Sequence, residues 1–363
     1  MPPVGGLNGT AGPLRVVKSV CYNQEQDAFA VATDDGVRVF NASPLVEMRH
    51  LTAEQVGSVR LAAPLHRSNL LALVAGGSRP KFAANTVMIW NDIDAEFVAE
   101  VTLPGGPILN ILLNYSRLVT IQARRLHIFS LLPSLKLLRS EETRENSTGV
   151  AAMGGEGSSA LLAIPSFRTG AVQIMAVELM GEHQSCAPMT IEAHQGEIAQ
   201  LAVSTQGTLL ATGSTKGTVI RIFDTRTRML LNELRRGTDP ATLYCLRFSP
   251  CAGYLAATSD KGTVHIFSVR DAAGDGNQRK HLFDDTKRSV AQFSLPEDAI
   301  GRCCFVSDPS AGSSGADLPS VVAVCSDGTF HRFAFFRDGR AERIGYDWLL
   351  SLASEQDFWY SGV

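Results

Sequence analysis

Short apolar segments recur along the whole chain, and each ends in an aromatic or other large apolar side chain. Seven copies stand at residues 35–40, 85–90, 125–129, 170–175, 217–223, 262–267 and 328–333. A second apolar segment precedes them, for example at 28–33, 70–75, 208–212 and 254–258. Short strands at regular spacing, separated by turn residues, are typical of an all-β fold built from repeats.

The spacing of these segments predicts the architecture. A period of about 40 to 50 residues with about four strands in each unit is typical of propeller blades. We therefore predict an all-β, seven-bladed β-propeller of divergent WD40-like repeats, and we expect an N-terminal strand to complete the last blade. Helix signals are confined to short stretches at 52–55 and 348–354. The predicted blades lie at about 14–54, 55–105, 106–147, 148–195, 196–238, 239–297 and 298–350, between a flexible tail at 1–13 and a second tail at 351–363.

Composition excludes several classes of protein. The formal net charge of -3 over 363 residues argues against a generic nucleic-acid binder. No apolar run approaches the ~20 residues of a membrane span, and no secretory signal is visible. The seven cysteines are never spaced as Cys-x-x-Cys, which favours reduced, buried cytosolic thiols. We predict no metal site, no cofactor and no catalytic activity.

An adjacent pair, Arg235 and Arg236, lies between two near-copies of one strand pattern whose Lys-Gly-Thr-Val cores begin at Lys216 and Lys261. In extended backbone the two arginine side chains point to opposite sides, so one dipeptide can serve two pockets. Arginine suits phosphate because its planar fork donates parallel, charge-assisted hydrogen bonds. The pattern predicts a doubled anion site. The alternative is a solvated surface beside glycine turns that the blades themselves require.

A long polar connection at 270–288, inside the sixth blade, carries the apolar pair Leu282 and Phe283. An apolar tip with basic flanks is typical of segments that insert beneath lipid headgroups. Alternatively, the two side chains fold back onto the blade. The basic residues that flank the pair are Arg279, Lys280, Lys287 and Arg288.

The Leu-Arg-Arg-Gly run at 234–237 and its continuation to 245 resemble the marker of the PROPPIN family, the phosphoinositide-binding propellers called WIPI proteins in animals. Segments 54–58, 66–74 and 80–82 resemble the fourth WIPI paralogue in particular. The resemblance extends from about residue 14 to 348. It implies binding to phosphatidylinositol 3-phosphate and phosphatidylinositol 3,5-bisphosphate, and recruitment from the cytoplasm to autophagic precursor and endosomal membranes, without catalysis.

The resemblance also implies site residues. The first phosphoinositide pocket would use His194, Ser214, Lys216, Gly217, Thr218, Arg221 and Arg235. The second would use Arg236, Gly237, Ser259, Lys261, Gly262, Thr263 and His265. A lipid-transfer protein of autophagy would bind near Asn23 and Glu25.

The chemistry of these residues suits a phosphorylated headgroup. Hydroxyls and glycine amides can hold phosphate oxygens, lysine and arginine can neutralise them, and histidine can add charge at mildly acidic pH. His194 and His265 are equally well interpreted as structural histidines. We expect the protein to be a monomer. A competing hypothesis is a WD40-like scaffold with no lipid dependence, in which the arginine pair docks an acidic peptide.

Overall fold

The computed structural model describes residues 17–177, 188–269, 286–296, 299–306, 320–336 and 339–352. Within these ranges the strands form seven separate sheets arranged around a central channel. The predicted all-β, seven-bladed propeller is confirmed.

Each sheet takes its strands from one stretch of the chain, apart from one strand of the fifth sheet. The first three blades contain β1 (Val17–Tyr22), β2 (Ala28–Thr33), β3 (Gly36–Ala42) and β4 (Leu45–Thr52); β5 (Gly57–Pro64), β6 (Leu70–Pro80), β7 (Thr86–Asn91) and β8 (Glu96–Thr102); and β9 (Asn110–Leu113), β10 (Arg117–Ile121), β11 (Arg125–Ser130) and β12 (Lys136–Glu142). The fourth and fifth contain β13 (Ala152–Gly154), β14 (Leu161–Pro165), β15 (Ala171–Ala176) and β16 (Met189–Glu192); and β17 (Ile198–Val203), β18 (Leu209–Ser214), β19 (Val219–Asp224) and β20 (Leu230–Arg235), to which β24 (Thr286–Lys287) is added. The sixth and seventh contain β21 (Leu243–Phe248), β22 (Tyr254–Ser259), β23 (Thr263–Ser268) and β25 (Ala291–Ser294); and β26 (Gly301–Val306), β27 (Ser320–Cys325), β28 (Thr329–Phe335) and β29 (Ala341–Trp348).

Burial differs between inner and outer strands of a blade, and this explains the sequence pattern. Every residue of β2 and of β27 is buried, because neighbouring blades cover both faces of a middle strand. The outer strand β8 instead alternates exposed and half-buried residues. Middle strands therefore appear in the sequence as continuous apolar runs, whereas outer strands alternate.

The ring closes between the seventh and first blades by packing and hydrogen bonds. The amide of Val17 donates to the carbonyl oxygen of Ser326 at 3.2 Å, and the Tyr22 hydroxyl donates to the carbonyl oxygen of Arg302 at 3.0 Å. The rings of Phe29 and Phe330 stack with their centroids 6.2 Å apart. In the described ranges the seventh sheet consists of β26 to β29 alone, and β1 is the inner strand of the first blade. The expected completion of the last blade by an N-terminal strand is therefore wrong for β1.

The fifth sheet has a strand that comes from the sixth-blade connection. β24 runs parallel to β20, with Leu234 opposite Lys287. Residues 286–287, which were predicted to belong to the sixth blade, are therefore part of the sheet of the fifth blade. This pairing brings the end of the long connection beside the arginine pair.

Helix is scarce in the part of the chain that the structure describes. It comprises α1 (Ala53–Val56) and 3₁₀ turns at Gly157–Ser159 and Leu349–Ser351. None of these helices has the length and apolar character needed to cross a bilayer.

Six cysteines lie in the described residues, and none of them forms a disulfide there. Cys245, Cys303, Cys304 and Cys325 are buried, whereas Cys251 is exposed. No group of three or more potential metal ligands occurs within the described residues.

Candidate anion-binding site

The arginine pair ends the outer strand of the fifth blade. Leu234 is fully buried, Arg235 is exposed, and Arg236 is only 8% exposed. The side chains therefore alternate between the protein interior and solvent, as expected for extended backbone. The Arg235 side chain forms no hydrogen bond or ion pair with any described residue, so it is available to a ligand.

Arg236 is fastened to the turn at 214–218, which joins β18 to β19. Its Nε donates to the carbonyl oxygen of Gly217 at 2.7 Å, and its terminal nitrogen donates to the carbonyl oxygen of Asp239. The backbone amides of Arg236 and Gly237 both donate to the carbonyl oxygen of Thr218, at 2.9 and 3.4 Å. Burial lowers the pKa of Arg236 from its usual value, and the charges of Asp260 and Asp239 oppose this shift. The guanidinium of Arg236 therefore holds the backbone of the turn in place and also contributes positive charge to the site.

The turn at 214–218 needs glycine at one position. Gly217 has a φ of +64°, and a Cβ there would lie 1.8 Å from the carbonyl oxygen of Ala241. Ser214 is buried, Thr218 is half-buried, and Lys216 is exposed. The Lys216 ammonium has no partner among the described residues. The turn therefore presents a free cation beside a tightly packed backbone.

His194 and Arg221 tie the fourth blade to the fifth. Nε2 of His194 lies 2.9 Å from Oγ1 and 3.2 Å from the carbonyl oxygen of Thr212. Arg221 donates to Oε2 of Glu233 at 2.8 Å and to the carbonyl oxygen of Ala193 at 2.7 Å. Burial lowers the pKa of His194 to about 4. A pKa this low leaves His194 neutral at mildly acidic pH, which favours its interpretation as a structural histidine.

A second turn, at 259–263, repeats the first in the sixth blade. Gly262 has a φ of +62°, and its amide donates to the carbonyl oxygen of Ser259 at 3.2 Å. The Thr263 hydroxyl donates to the carbonyl oxygen of Lys261 at 3.3 Å. Lys261 is exposed, and its ammonium has no partner in the described ranges. Both turns thus offer an unpaired lysine next to a glycine with positive φ.

His265 lies on β23, just beyond the second turn. It is 6% exposed, and its Nδ1 is 3.5 Å from the Ser289 hydroxyl. Burial, with the charge of Arg236 as a smaller cause, lowers the pKa of His265 to about 4. The charge of Arg236 therefore reaches the sixth blade, although its hydrogen bonds go to the turn at 214–218 and to Asp239.

β24 adds basic residues that the repeat pattern did not place here. Lys287 lies opposite Leu234, and Arg288 beside it is exposed. A two-residue strand carries no periodic signal, so only the fold shows this pairing. The other residues predicted for membrane insertion, Arg279, Lys280, Leu282 and Phe283, lie outside the described residues.

Comparison with known proteins gives these features a family. The PROPPIN family model matches residues 16–281, which is more than half of the chain. The chain belongs to the PROPPIN family. PROPPINs are phosphoinositide-binding propellers rather than enzymes, and autophagy-related proteins are among the relatives of this chain. This chain is 38% identical to Ectopic P granules protein 6 of Caenorhabditis elegans, over 93% of the chain and 89% of that relative. It is 30% identical to Autophagy-related protein 18e of Arabidopsis thaliana over 96% of its length and 91% of the relative.

Solved structures agree on the fold. Hsv2 of Kluyveromyces lactis superposes with a TM-score of 0.74 at 21% identity, covering 92% of this chain and 99% of Hsv2. KlAtg21, in its complex with the coiled-coil of AgAtg16, superposes with a TM-score of 0.73 at 20% identity, covering 92% of this chain and 99% of that one. At these identities the likeness shows the PROPPIN propeller alone.

The two residues predicted for partner binding have different environments in this PROPPIN. Asn23 is fully buried; its amide donates to Asp27, and its Oδ1 accepts from the backbone amides of Asp27 and Ala28. It therefore holds the turn between β1 and β2. Glu25 is exposed and contacts Nδ1 of His66. Only Glu25 offers its side chain at the surface.

The contacts of His66 were missed by sequence reasoning. Its Nε2 lies 3.1 Å from Glu156, and its ring stacks on Tyr115 with centroids 3.7 Å apart. These residues come from turns of the second, fourth and third blades, and no spacing in the sequence indicates that they meet. They form an acidic, aromatic surface around Glu25.

Proposed function

We propose that this PROPPIN is a peripheral-membrane effector that binds phosphatidylinositol 3-phosphate and phosphatidylinositol 3,5-bisphosphate through two rim sites around residues 234–237. The observation that carries the proposal is a set of three cations without partners in the described part of the chain. Lys216 and Lys261 stand on two similar glycine turns, and Arg235 ends β20. Lysine and arginine side chains without partners among the described residues suit a phosphate monoester, whose oxygens accept several charge-assisted hydrogen bonds.

Two sites on one rim also explain how weak sites give useful affinity. A headgroup in one pocket raises the effective concentration of lipid at the other, so two modest sites bind a membrane more tightly than either alone. The division proposed here assigns Arg235 to the pocket of the fifth blade. Arg236 serves the pocket of the sixth blade through its charge, while its hydrogen bond to Gly217 orders the turn at 214–218 in the fifth blade.

Vesicle flotation with and without 3-phosphorylated lipid tests the proposal. Arg235→Ala with Arg236→Ala should abolish recovery with phosphatidylinositol 3-phosphate vesicles. The chain offers a matched control in Arg124 and Arg125, an adjacent pair whose guanidiniums are already bonded to Glu145 and Glu142. Arg124→Ala with Arg125→Ala makes the same change of charge and should leave binding intact. Undiminished binding by the first variant would refute the proposal.

The autophagy-related relatives of this chain support a proposal for its biological setting. We propose that this protein acts in autophagosome formation, recruited from the cytoplasm to autophagic precursor and endosomal membranes, as an adaptor for a lipid-transfer protein. Glu25 is the exposed residue proposed to contact that partner. Glu25→Ala should lower capture of the partner while vesicle binding persists, and Glu100→Ala, on the outer strand of the second blade, provides the control.

A protein scaffold without lipid dependence is the second candidate. The observation in its favour is that the structural neighbour KlAtg21 was solved with a protein coiled-coil. This hypothesis predicts a salt-sensitive complex that forms without membranes and is lost in Arg235→Ala with Arg236→Ala. Separate losses, of lipid in the arginine variant and of partner in Glu25→Ala, would favour the adaptor.

A further inference from the structure

The outer strand of the fifth blade begins with an exposed apolar segment. β19 and β20 are joined by a turn at 225–229, and the side chains that follow it face solvent. Met229 is 65% exposed, Leu230 49% and Leu231 50%. Three consecutive large apolar residues at this exposure form a patch rather than the scattered single residues that are normal on protein surfaces.

Two cations stand in the same turn. Arg226 and Arg228 are both exposed, and neither makes an ion pair within the described ranges. The nearby carboxylate of Asp224 is engaged by the turn itself, since its Oδ1 accepts from the Arg226 amide at 3.0 Å and from the amide and hydroxyl of Thr227 at 2.6 and 2.9 Å. We call Arg226, Arg228, Met229, Leu230 and Leu231 the blade 5 patch. Apolar residues beside unpaired cations match the acyl chains and anionic headgroups of a membrane surface.

The blade 5 patch and the candidate anion site share one strand. β20 extends from Leu230 to Arg235, a distance of about 17 Å in extended backbone, and its pairing with β19 is irregular at Leu231. β24 pairs with it only at Glu233 and Leu234, so the described residues leave its edge open at the patch. The Asn232 side chain donates to the carbonyl oxygen of Val269, where the chain leaves β23 for the 270–285 segment. A flat surface laid along this rim therefore meets the patch, the end of the long connection and the arginine pair.

The second blade shows that the patch is not a general property of these turns. Its turn between β7 and β8 also exposes an apolar side chain, Ile93, at 79%. There the neighbours are acidic, with Asp94 and Glu96 in the same stretch, whereas Asp92 is paired with Arg49 at 2.8 Å. Anionic lipid would be repelled from that turn and attracted to the blade 5 patch.

We propose that the blade 5 patch is a second membrane-contacting element, which takes an anionic phospholipid surface by inserting Met229, Leu230 and Leu231 while Arg226 and Arg228 meet the headgroups. The inference rests on the proposed function, because the two rim sites bring this edge to the bilayer. The patch supplies affinity that does not depend on the phosphoinositide itself.

Two variants separate the apolar and the charged contributions. Met229→Ser with Leu230→Thr and Leu231→Thr removes the apolar side chains and keeps residues that strands accept. Arg226→Gln with Arg228→Gln removes the charge. Ile93→Ser is the matched control on the second blade. Binding is measured by flotation on vesicles of phosphatidylcholine and phosphatidylinositol 3-phosphate, with and without phosphatidylserine, and by titration with soluble inositol 1,3-bisphosphate. Unchanged thermal unfolding verifies the fold of each variant.

The triple variant should bind both kinds of vesicle about tenfold more weakly. The serine and threonine side chains that replace the apolar ones gain much less free energy by leaving water for the bilayer. The arginine variant should lose affinity only for vesicles that contain phosphatidylserine. Both should bind the soluble headgroup as the unmodified protein does, and Ile93→Ser should change nothing. Full vesicle binding by the triple variant would overturn the inference and leave the patch as a protein contact. Failure of the unmodified protein to bind the soluble headgroup would instead count against the rim sites.

Discussion

The Nε atom of Arg236 lies 2.7 Å from the carbonyl oxygen of Gly217, so the second arginine of the pair is bonded to the turn of the fifth blade. Arg235, the preceding residue, extends into solvent with no partner among the described residues. Two adjacent arginines therefore have different physical roles. One is part of the protein framework and the other is free.

This difference predicts that the two arginines respond differently to substitution. Arg236→Met keeps much of the packed stem but removes the donors to two carbonyl oxygens, and we expect the free energy of unfolding to fall by about 1–3 kcal/mol. Arg235→Met should change it by less than about 0.5 kcal/mol, as is usual for a surface position. Both should weaken headgroup binding. Denaturant titration of the two variants provides the measurement, and equal stability would contradict the framework role of Arg236.

The two glycine turns have similar backbone conformations but differ in the room around the glycine, and this difference gives a second prediction. A Cβ at Gly217 would meet the Ala241 oxygen at 1.8 Å, whereas one at Gly262 would lie 3.4 Å from the nearest atom, the Leu295 oxygen. Gly262→Ala should cost about 1–2 kcal/mol for its positive φ alone. Gly217→Ala must add the cost of moving backbone, about 1–3 kcal/mol more. Unfolding measurements that rank Gly262→Ala as the more damaging change would show that the turns differ from this description.

Sequence reasoning succeeded where the signal is periodic. The middle strands are buried on both faces, so their apolar runs identified seven blades, and the alternation of strand side chains separated Arg235 from Arg236. It could not find β24, because two residues carry no period and their pairing depends on where the ring brings the chain. It also gave Asn23 a binding role, although the residue is buried and holds a turn. Its hydrogen bonds span only five residues, but an asparagine in a turn and one on a binding surface look alike in sequence.

Histidine burial predicts how stability depends on pH. The pKa of His194, of His265 and of His331 is lowered to about 4 from an ordinary 6.5, with burial the largest cause in each case. Between these values the unfolded chain binds protons that the folded chain does not. The contribution of these neutral histidines to the free energy of unfolding is therefore fully present above about pH 6.5, and it is lost as the pH falls towards 4. Urea unfolding between pH 7 and 4.5 measures the loss. His265→Gln should reduce its slope, and an unchanged slope would mean that His265 is not held neutral.

The ion pair of Arg221 with Glu233 gives the last prediction, which concerns affinity. The two side chains lie opposite each other on β19 and β20, with Nε and Oε2 2.8 Å apart, and both are partly exposed. Glu233 therefore holds a negative charge two residues from Arg235, on the same face of the strand. A phosphorylated headgroup entering the first pocket must compete with this carboxylate for Arg221.

Glu233→Gln removes that charge while keeping a group that can accept a hydrogen bond from Arg221. We expect it to strengthen binding of inositol 1,3-bisphosphate several-fold, because Arg221 becomes available and the local potential becomes more positive. Glu142→Gln makes the same change on the outer strand of the third blade, where the carboxylate pairs with Arg125, and should leave affinity unaltered. Isothermal titration at low and moderate salt measures both variants. A gain that shrinks as salt increases would support the electrostatic cause, whereas weaker binding by Glu233→Gln would show that the ion pair positions Arg221 for the ligand instead of withholding it.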